Sequence, residues 1–195
     1  MENTSVQRLA RVLRLLVWAT FALNLFCLLL VPGLAGLVAE GGPGQLRHYL
    51  VNEVANGYVT HTLGHVGMYF VVSFAAVWQD LDTAVWTVFF WVCGTCTAVM
   101  LRQALHILDT ILQGEPFQMA NARSMKRAAF CCWGISGAAL VRLILWLLRE
   151  GNIAPLFTYT CLFIPVFFMA GLLFQVMSAL FRQAAELKED QDLTI

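Results

Sequence analysis

Four apolar stretches fix what this chain can fold into. They are Leu15–Val31, Thr83–Leu101, Ala128–Leu148 and Pro155–Phe181, and the shortest holds 17 residues. About 20 apolar residues in a helix cross the roughly 30 Å hydrocarbon core of a bilayer. Lipid offers no partner to backbone N–H and C=O groups, so the helix, which pairs them internally, is the expected form. Composition agrees: 59% of the 195 residues are hydrophobic and 12% are charged, against about 25% charged in soluble domains. Twelve basic and twelve acidic side chains would cover the surface of a small water-soluble domain poorly. The net charge of zero gives no basis for direct nucleic-acid binding.

A fifth apolar stretch is shorter. Its uninterrupted part, Val66–Trp78, has thirteen residues, too few to span. The distribution of Lys and Arg decides between four spans and five. Four spans with both ends inside place nine basic residues inside and three outside; five spans give seven against five. The expectation is an all-α polytopic transmembrane helical bundle with four spanning helices and one extra apolar helix. That extra helix, at about residues 58–79, lies on the outer side, interfacial or re-entrant. The chain reads as one integral membrane domain over residues 1–195. Spans fall at about 13–35, 83–112, 127–149 and 155–182, with an outer loop at 36–82, an inner loop at 113–126 and an acidic tail at 183–195. Arg8, Arg11 and Arg14 before an apolar run, with Gly33-Leu34-Ala35 after it, imitate a signal peptide. The run exceeds the usual 7–15 residues, so it reads as an uncleaved first helix. The tryptophans agree with this placement: Trp78, Trp86 and Trp146 gather at the outer interface, Trp18 and Trp133 at the inner one.

The connection between the second and third spans carries the most information. At 100° per residue, Arg102, His106, Asp109 and Gln113 share one helix face and Leu101, Leu105, Leu108, Ile111 and Leu112 the other. The second helix therefore extends past the bilayer until Gly114 and Pro116 stop it. A new helix starts between Phe117 and Asn121 and brings Arg123, Lys126 and Arg127 to anionic headgroups. At the end of the chain, five of the ten residues of Glu186–Ile195 are charged. Leu180, Ala184, Leu187 and Gln191 keep helical spacing, whereas Asp192-Leu193-Thr194-Ile195 suits an extended end. Leu193 and Ile195 have no place in a purely solvating tail. The tail is therefore expected to dock, on the basic loop of its own chain or on a partner.

Chemistry is weakly marked. Cys93 and Cys96 have the C-x-x-C spacing of thiol oxidoreductases, but at mid-helix, where a thiolate is disfavoured. Residues 32–82 hold no cysteine to relay electrons, so the six cysteines read as small apolar fillers. His61 and His65 at i, i+4 could face one metal, yet no carboxylate or cysteine accompanies them at short range. Arg142 inside the third span is a functional candidate by position. Its plainer roles are to reach the outer headgroups or to meet Asp80 or Asp82. Arg102, His106 and Asp109 could titrate together, His106 and Asp109 within hydrogen-bonding reach of each other. Gly134 and Ala138 allow close helix packing, and Pro165 should loosen the fourth span. No nucleophile-and-base pair, phosphate loop or zinc-ligand set is visible. No metal, no cofactor and no enzymatic activity are expected.

Two motifs together do carry a resemblance: Ile-Leu-x-Gly-Glu-Pro-Phe at Ile111–Phe117 followed by Asn121, and the ending Glu-Leu-Lys-Glu-Asp-Gln-Asp-Leu-Thr-Ile. They resemble a bacterial family of small four-helix membrane proteins, domain of unknown function 2975, over roughly residues 8–195. Gln118 departs from the Ser or Thr cap expected after Phe117, which weakens that helix start. The outer segment is longer than the family pattern. The resemblance implies a bacterial cytoplasmic (inner) membrane, and the Lys and Arg count places both termini on its cytosolic side. The resemblance also implies company with a small helix-turn-helix regulator encoded nearby. The leading reading is a non-enzymatic interaction or sensory-regulatory protein. Its working surface would be Gly114, Glu115, Pro116, Phe117 and Asn121 of the loop, with Glu186, Leu187, Asp192, Leu193, Thr194 and Ile195 of the tail. A thiol oxidoreductase using Cys93 and Cys96, and a small-solute carrier with Arg142 in its path, are the alternatives. Association of copies of the chain is left open.

Overall fold

The computed structural model describes residues 5–39, 59–115, 117–151 and 159–193. These form five helices: α1 (Ser5–Ala39), α2 (Val59–Ala76), α3 (Leu81–Leu112), α4 (Met119–Glu150) and α5 (Tyr159–Leu193), with no strand among the described residues. Four of them, α1, α3, α4 and α5, are long and apolar enough to cross a membrane. α2 contains only the shorter apolar run Val66–Ala75. The helices outrun the apolar stretches that predict them: α4 begins at Met119 and α5 continues to Leu193. The backbone pairs internally wherever a helix continues, so a few charged side chains on its last turns do not end it.

Lipid, not the chain's own interior, surrounds most of this apolar surface. Only 6% of the apolar window of α3 and of α5 is buried within the chain, and 11% of that of α1. Leu148, Val71 and Leu29 are among many large apolar side chains left exposed. In water, patches of this extent would drive association. Hydroxyls in the apolar helices close on their own carbonyls: Thr20 Oγ1 donates to Leu16 O at 2.8 Å, Thr87 to Thr83 O at 2.8 Å, and Thr97 to Cys93 O at 2.8 Å. Each satisfies a donor that lipid cannot.

Contacts divide the chain into two compact units. One takes the chain up to Leu25 and from Cys93 onward; the other takes Phe26–Val92. In the first unit α4 is the most enclosed helix, with 28% of its apolar window buried. Its buried residues Ser124, Ala128, Cys132, Ile135, Ala139 and Arg142 recur at helical spacing and are mostly small. Small side chains let helices approach where no hydrophobic drive separates protein from lipid. The tightest approach to α5 is at Gly171, where an added Cβ would collide with the Trp133 indole and lie 3.2 Å from the Ala129 carbonyl. Gly134, expected as a packing residue, instead faces α3, its Cβ position 3.4 Å from Cys96 Sγ. Ser136 Oγ donates to Ile164 O of α5 at 2.9 Å, directly before Pro165. α5 runs unbroken through that proline.

In the second unit, α1 continues through Pro32 and Gly33 to Ala39. Gly33 lies against the Phe70 ring and Gly36 against the Tyr69 hydroxyl, so α2 packs where α1 lacks side chains. α3 starts on a capped turn. Asp80 Oδ2 accepts from Thr83 N at 3.1 Å and Thr83 Oγ1 at 2.9 Å, satisfying a donor free at every helix start.

Replacing Gly171 by Leu should lower stability by about 1–3 kcal/mol, as overpacking does, read as a lower thermal midpoint in detergent. Gly137→Ala, whose new methyl meets nothing within 4 Å, should leave that midpoint unchanged or raise it.

Candidate functional site

The turn from α3 into α4 is built by three separate interactions. First, α3 ends in a left-handed glycine. Gly114 has φ +83°, its N–H donates to Ile111 O at 3.1 Å, and Glu115 N–H donates to Thr110 O at 3.0 Å. This pair of bonds is the Schellman closure, which favours glycine at the turning position because it lacks Cβ. Second, Asn121 is fully buried, and its Nδ2 donates to Thr110 Oγ1 at 2.7 Å. Thr110 Oγ1 in turn donates to Ile107 O at 2.8 Å. A buried polar chain therefore clasps the end of α3 to the start of α4. Third, the turn leans on α5: the Phe117 and Phe181 rings lie 6.1 Å apart, and Ser178 Oγ donates to Ala122 O at 2.7 Å.

α4 starts on Gln118, whose side chain makes no cap. Its Nε2 turns back to Glu115 Oε2 at 2.6 Å. The weak start expected from Gln118 is thus present, and the Asn121 clasp and Ser178 hold the helix start instead. At the same end of this unit Arg14 Nε pairs with Asp109 Oδ1 at 3.0 Å. Asp109 thus meets α1 and not His106, as the proposed titrating cluster required. Both partners are about half exposed, so the pair adds at most about 1 kcal/mol.

The tail behaves differently from the loop. α5 carries straight into it, and Glu186 through Gln191 are all exposed, Leu187 at 64%. Glu186 Oε1 accepts from Arg182 Nε of its own helix at 2.8 Å. Asp192 and Leu193 are helical, where the sequence suggested an extended end. Thr194, Ile195, Pro116 and the side chains of Asp192, Leu193, His61 and His65 lie outside the described residues. The structure therefore unites Gly114, Glu115, Phe117 and Asn121 in one turn and leaves Glu186 and Leu187 on an unenclosed helix end. Thr110, Ser178 and Phe181 complete the turn without having been singled out. Their only signal was a hydroxyl or aromatic ring near the end of an apolar run.

The other candidates separate clearly. Arg142 is 7% exposed, enclosed by the chain and not stretched to headgroups. Among the described residues no group of three His, Cys, Asp or Glu side chains could hold a metal ion. All six cysteines are free. In the second unit a cavity of about 580 Å³ lies among α1, α2 and the start of α3, with Tyr69, Val72, Asp80 and Asp82 in its wall. Its lining comes from three helices, so no single stretch of sequence announces it.

A chain with four helices of membrane-spanning length, nearly all their apolar surface outward, is a multi-pass helical membrane protein. The turn at Gly114–Asn121 is its most constructed feature. The family model described as "Protein of unknown function (DUF2975)" matches residues 50–195. The chain belongs to that family, although the match begins after α1 and not near residue 8. No curated protein and no solved structure matches the chain.

The Asn121–Thr110 clasp can be measured directly. Asn121→Ala should cost about 1–3 kcal/mol, the penalty for a buried group losing its partner. Combined with Thr110→Val it should cost less than the sum of the two, with a coupling of about 0.5–1.5 kcal/mol in a double-mutant cycle.

Proposed function

We propose that the chain is a non-enzymatic membrane interaction or sensory-regulatory protein working through the turn at Gly114–Asn121 and the end of α5. One observation carries this reading: a helix continues past the last apolar stretch, and its residues Glu186 through Gln191, Leu187 among them, are exposed. A helix with an outward leucine stripe and ordered charges is suited to lie against another protein. The turn beside α5 supplies a rigid partner surface, since its backbone is closed at Gly114, clasped at Asn121 and propped by Phe181. Phe117, half exposed beside Phe181, offers it an aromatic contact.

In this proposal both termini face the cytosol of a bacterial cell and the chain sits in the cytoplasmic membrane. The excess of Lys and Arg at the Arg14, Arg123 and Arg182 end supports that orientation. The partner is a cytosolic protein, with a small helix-turn-helix regulator as the leading candidate from the family resemblance. A solute carrier built around Arg142 is less well supported, because that side chain lies on the packing face of α4 and not in a described cavity.

The test joins topology to contact. A reporter fused after Ile195 should register the cytosolic side. A photo-crosslinking residue at Leu187 should capture a cytosolic protein, while the same residue at the lipid-facing Leu173 should not. Deleting 186–195 should abolish capture through a second probe at Phe117 and leave the protease resistance of the turn unchanged. A reporter active only outside, or equal capture from Leu187 and Leu173, would sink the proposal.

A further inference from the structure

The C-x-x-C spacing directs attention along one helix, but the fold pairs its cysteines across two. Cys93, Cys96 and Met100 recur on α3 at steps of three and four residues, so one face carries all three sulfurs. That face meets α4 at Cys131 and Cys132. Cys96 and Cys131 share a hydrogen bond between their thiols. Cys132 Sγ lies 3.5 Å from Met100 Sδ. Gly134 admits the Cys96 sulfur, since a Cβ there would stand 3.4 Å from it. Two sulfur contacts, Cys96 with Cys131 and Met100 with Cys132, thus lie between α3 and α4, with Cys96, Met100 and Cys131 half-buried and Cys132 buried.

Ligand type selects the metal such a group could take. Zinc prefers four ligands in a tetrahedron, and no set of three His, Cys, Asp or Glu side chains is present among the described residues. Thiolate and thioether sulfurs are the ligands preferred by monovalent copper, which accepts two or three of them. Charge also fits. Binding follows Cu⁺ + 2 RSH → [Cu(SR)₂]⁻ + 2 H⁺, so two thiols losing protons to one monocation leave a single negative charge. The guanidinium of Arg142, enclosed by the chain, interacts electrostatically with Cys93, one helical turn from Cys96 on α3.

We infer that Cys96 and Cys131 bind one soft monovalent cation, Cu(I), between α3 and α4. The site is independent of the loop-and-tail surface.

The full chain in detergent, reduced and kept free of oxygen, is loaded with Cu(I) and challenged with a water-soluble Cu(I) chelator. One equivalent should remain bound, with a thiolate-to-copper charge-transfer band. Cys96→Ser and Cys131→Ser should each weaken retention at least tenfold, while Cys27→Ser and Cys161→Ser should leave it unchanged. Failure of the native chain to hold copper against the chelator overturns the inference, as does retention that survives both Cys96→Ser and Cys131→Ser. A measurement without variants guards against misfolding. Copper, or redox-inert Ag(I), should slow alkylation of Cys96 and Cys131 by a membrane-permeant maleimide, read by peptide mass spectrometry, and spare the exposed Cys27. Equal alkylation with and without metal also overturns it.

Discussion

A hydrogen-bonding group inside hydrocarbon has only the protein to bond to, and this single restriction organises the chain. It makes the backbone helical wherever the side chains are apolar. It also turns Thr20, Thr87 and Thr97 back onto carbonyls four residues earlier. Hydrophobic burial, which assembles soluble proteins, does little here, because a leucine gains almost nothing by leaving lipid for a neighbouring helix. Association must come from close fit and from polar contacts between helices. α4 supplies both. Its buried stripe is rich in Ala, Ser and Cys, and its Trp133 reaches the backbone of α5 at Gly171. Two hydroxyl bonds, Ser136 to Ile164 and Ser178 to Ala122, tie α4 and α5 at separate heights.

Where the apolar stretches end, water becomes available and the rules change. The turn after α3 could be loose, since its backbone groups would find solvent. It is instead closed by a Schellman turn at Gly114, a buried Asn121–Thr110 bond and a Phe117–Phe181 contact. These are different physical interactions, and they converge on a stretch of about a dozen residues. Such convergence fixes one conformation. The end of α5 shows a different condition: an intact helix whose residues Glu186 through Gln191 stand exposed.

The sequence exposed these two halves unequally. The spans were legible because length and hydropathy are sums over many residues. The continuation of α3 to Leu112 and the start of α4 near Met119 followed from periodicity and from glycine. Single side chains were harder. Thr110 and Asn121 are 11 residues apart, and Ser178 and Ala122 are 56 apart. Hydropathy averaging erases one serine in an apolar run, and no local pattern names its distant acceptor. The extended end read for residues 192–195 gave way at Asp192 and Leu193 for a related reason. Strand propensity at two positions is weak, whereas adding a residue to a formed helix needs no new nucleus. α1 passes through Pro32, as its expected span required, because a buried proline inside a long packed helix loses one backbone bond without losing its neighbours.

The cysteines show most clearly how a true pattern can be read in the wrong direction. Cys93 and Cys96 do sit on one helix face, as their spacing requires. In a soluble redox protein that face would open to water at a helix end, and the two thiols would be each other's partners. Here the face meets another helix within the span, so Cys96 finds Cys131 on α4 and Cys93 interacts with Arg142. Proximity to Cys131, Cys132 and Arg142 is a property of packing, invisible at any sequence separation shorter than the connection between α3 and α4. The same small size that makes cysteine a convenient filler between helices is what brings the sulfurs close enough to act together. Packing and soft-ligand chemistry therefore draw on one set of residues, and a structural explanation of those cysteines does not exclude a functional one.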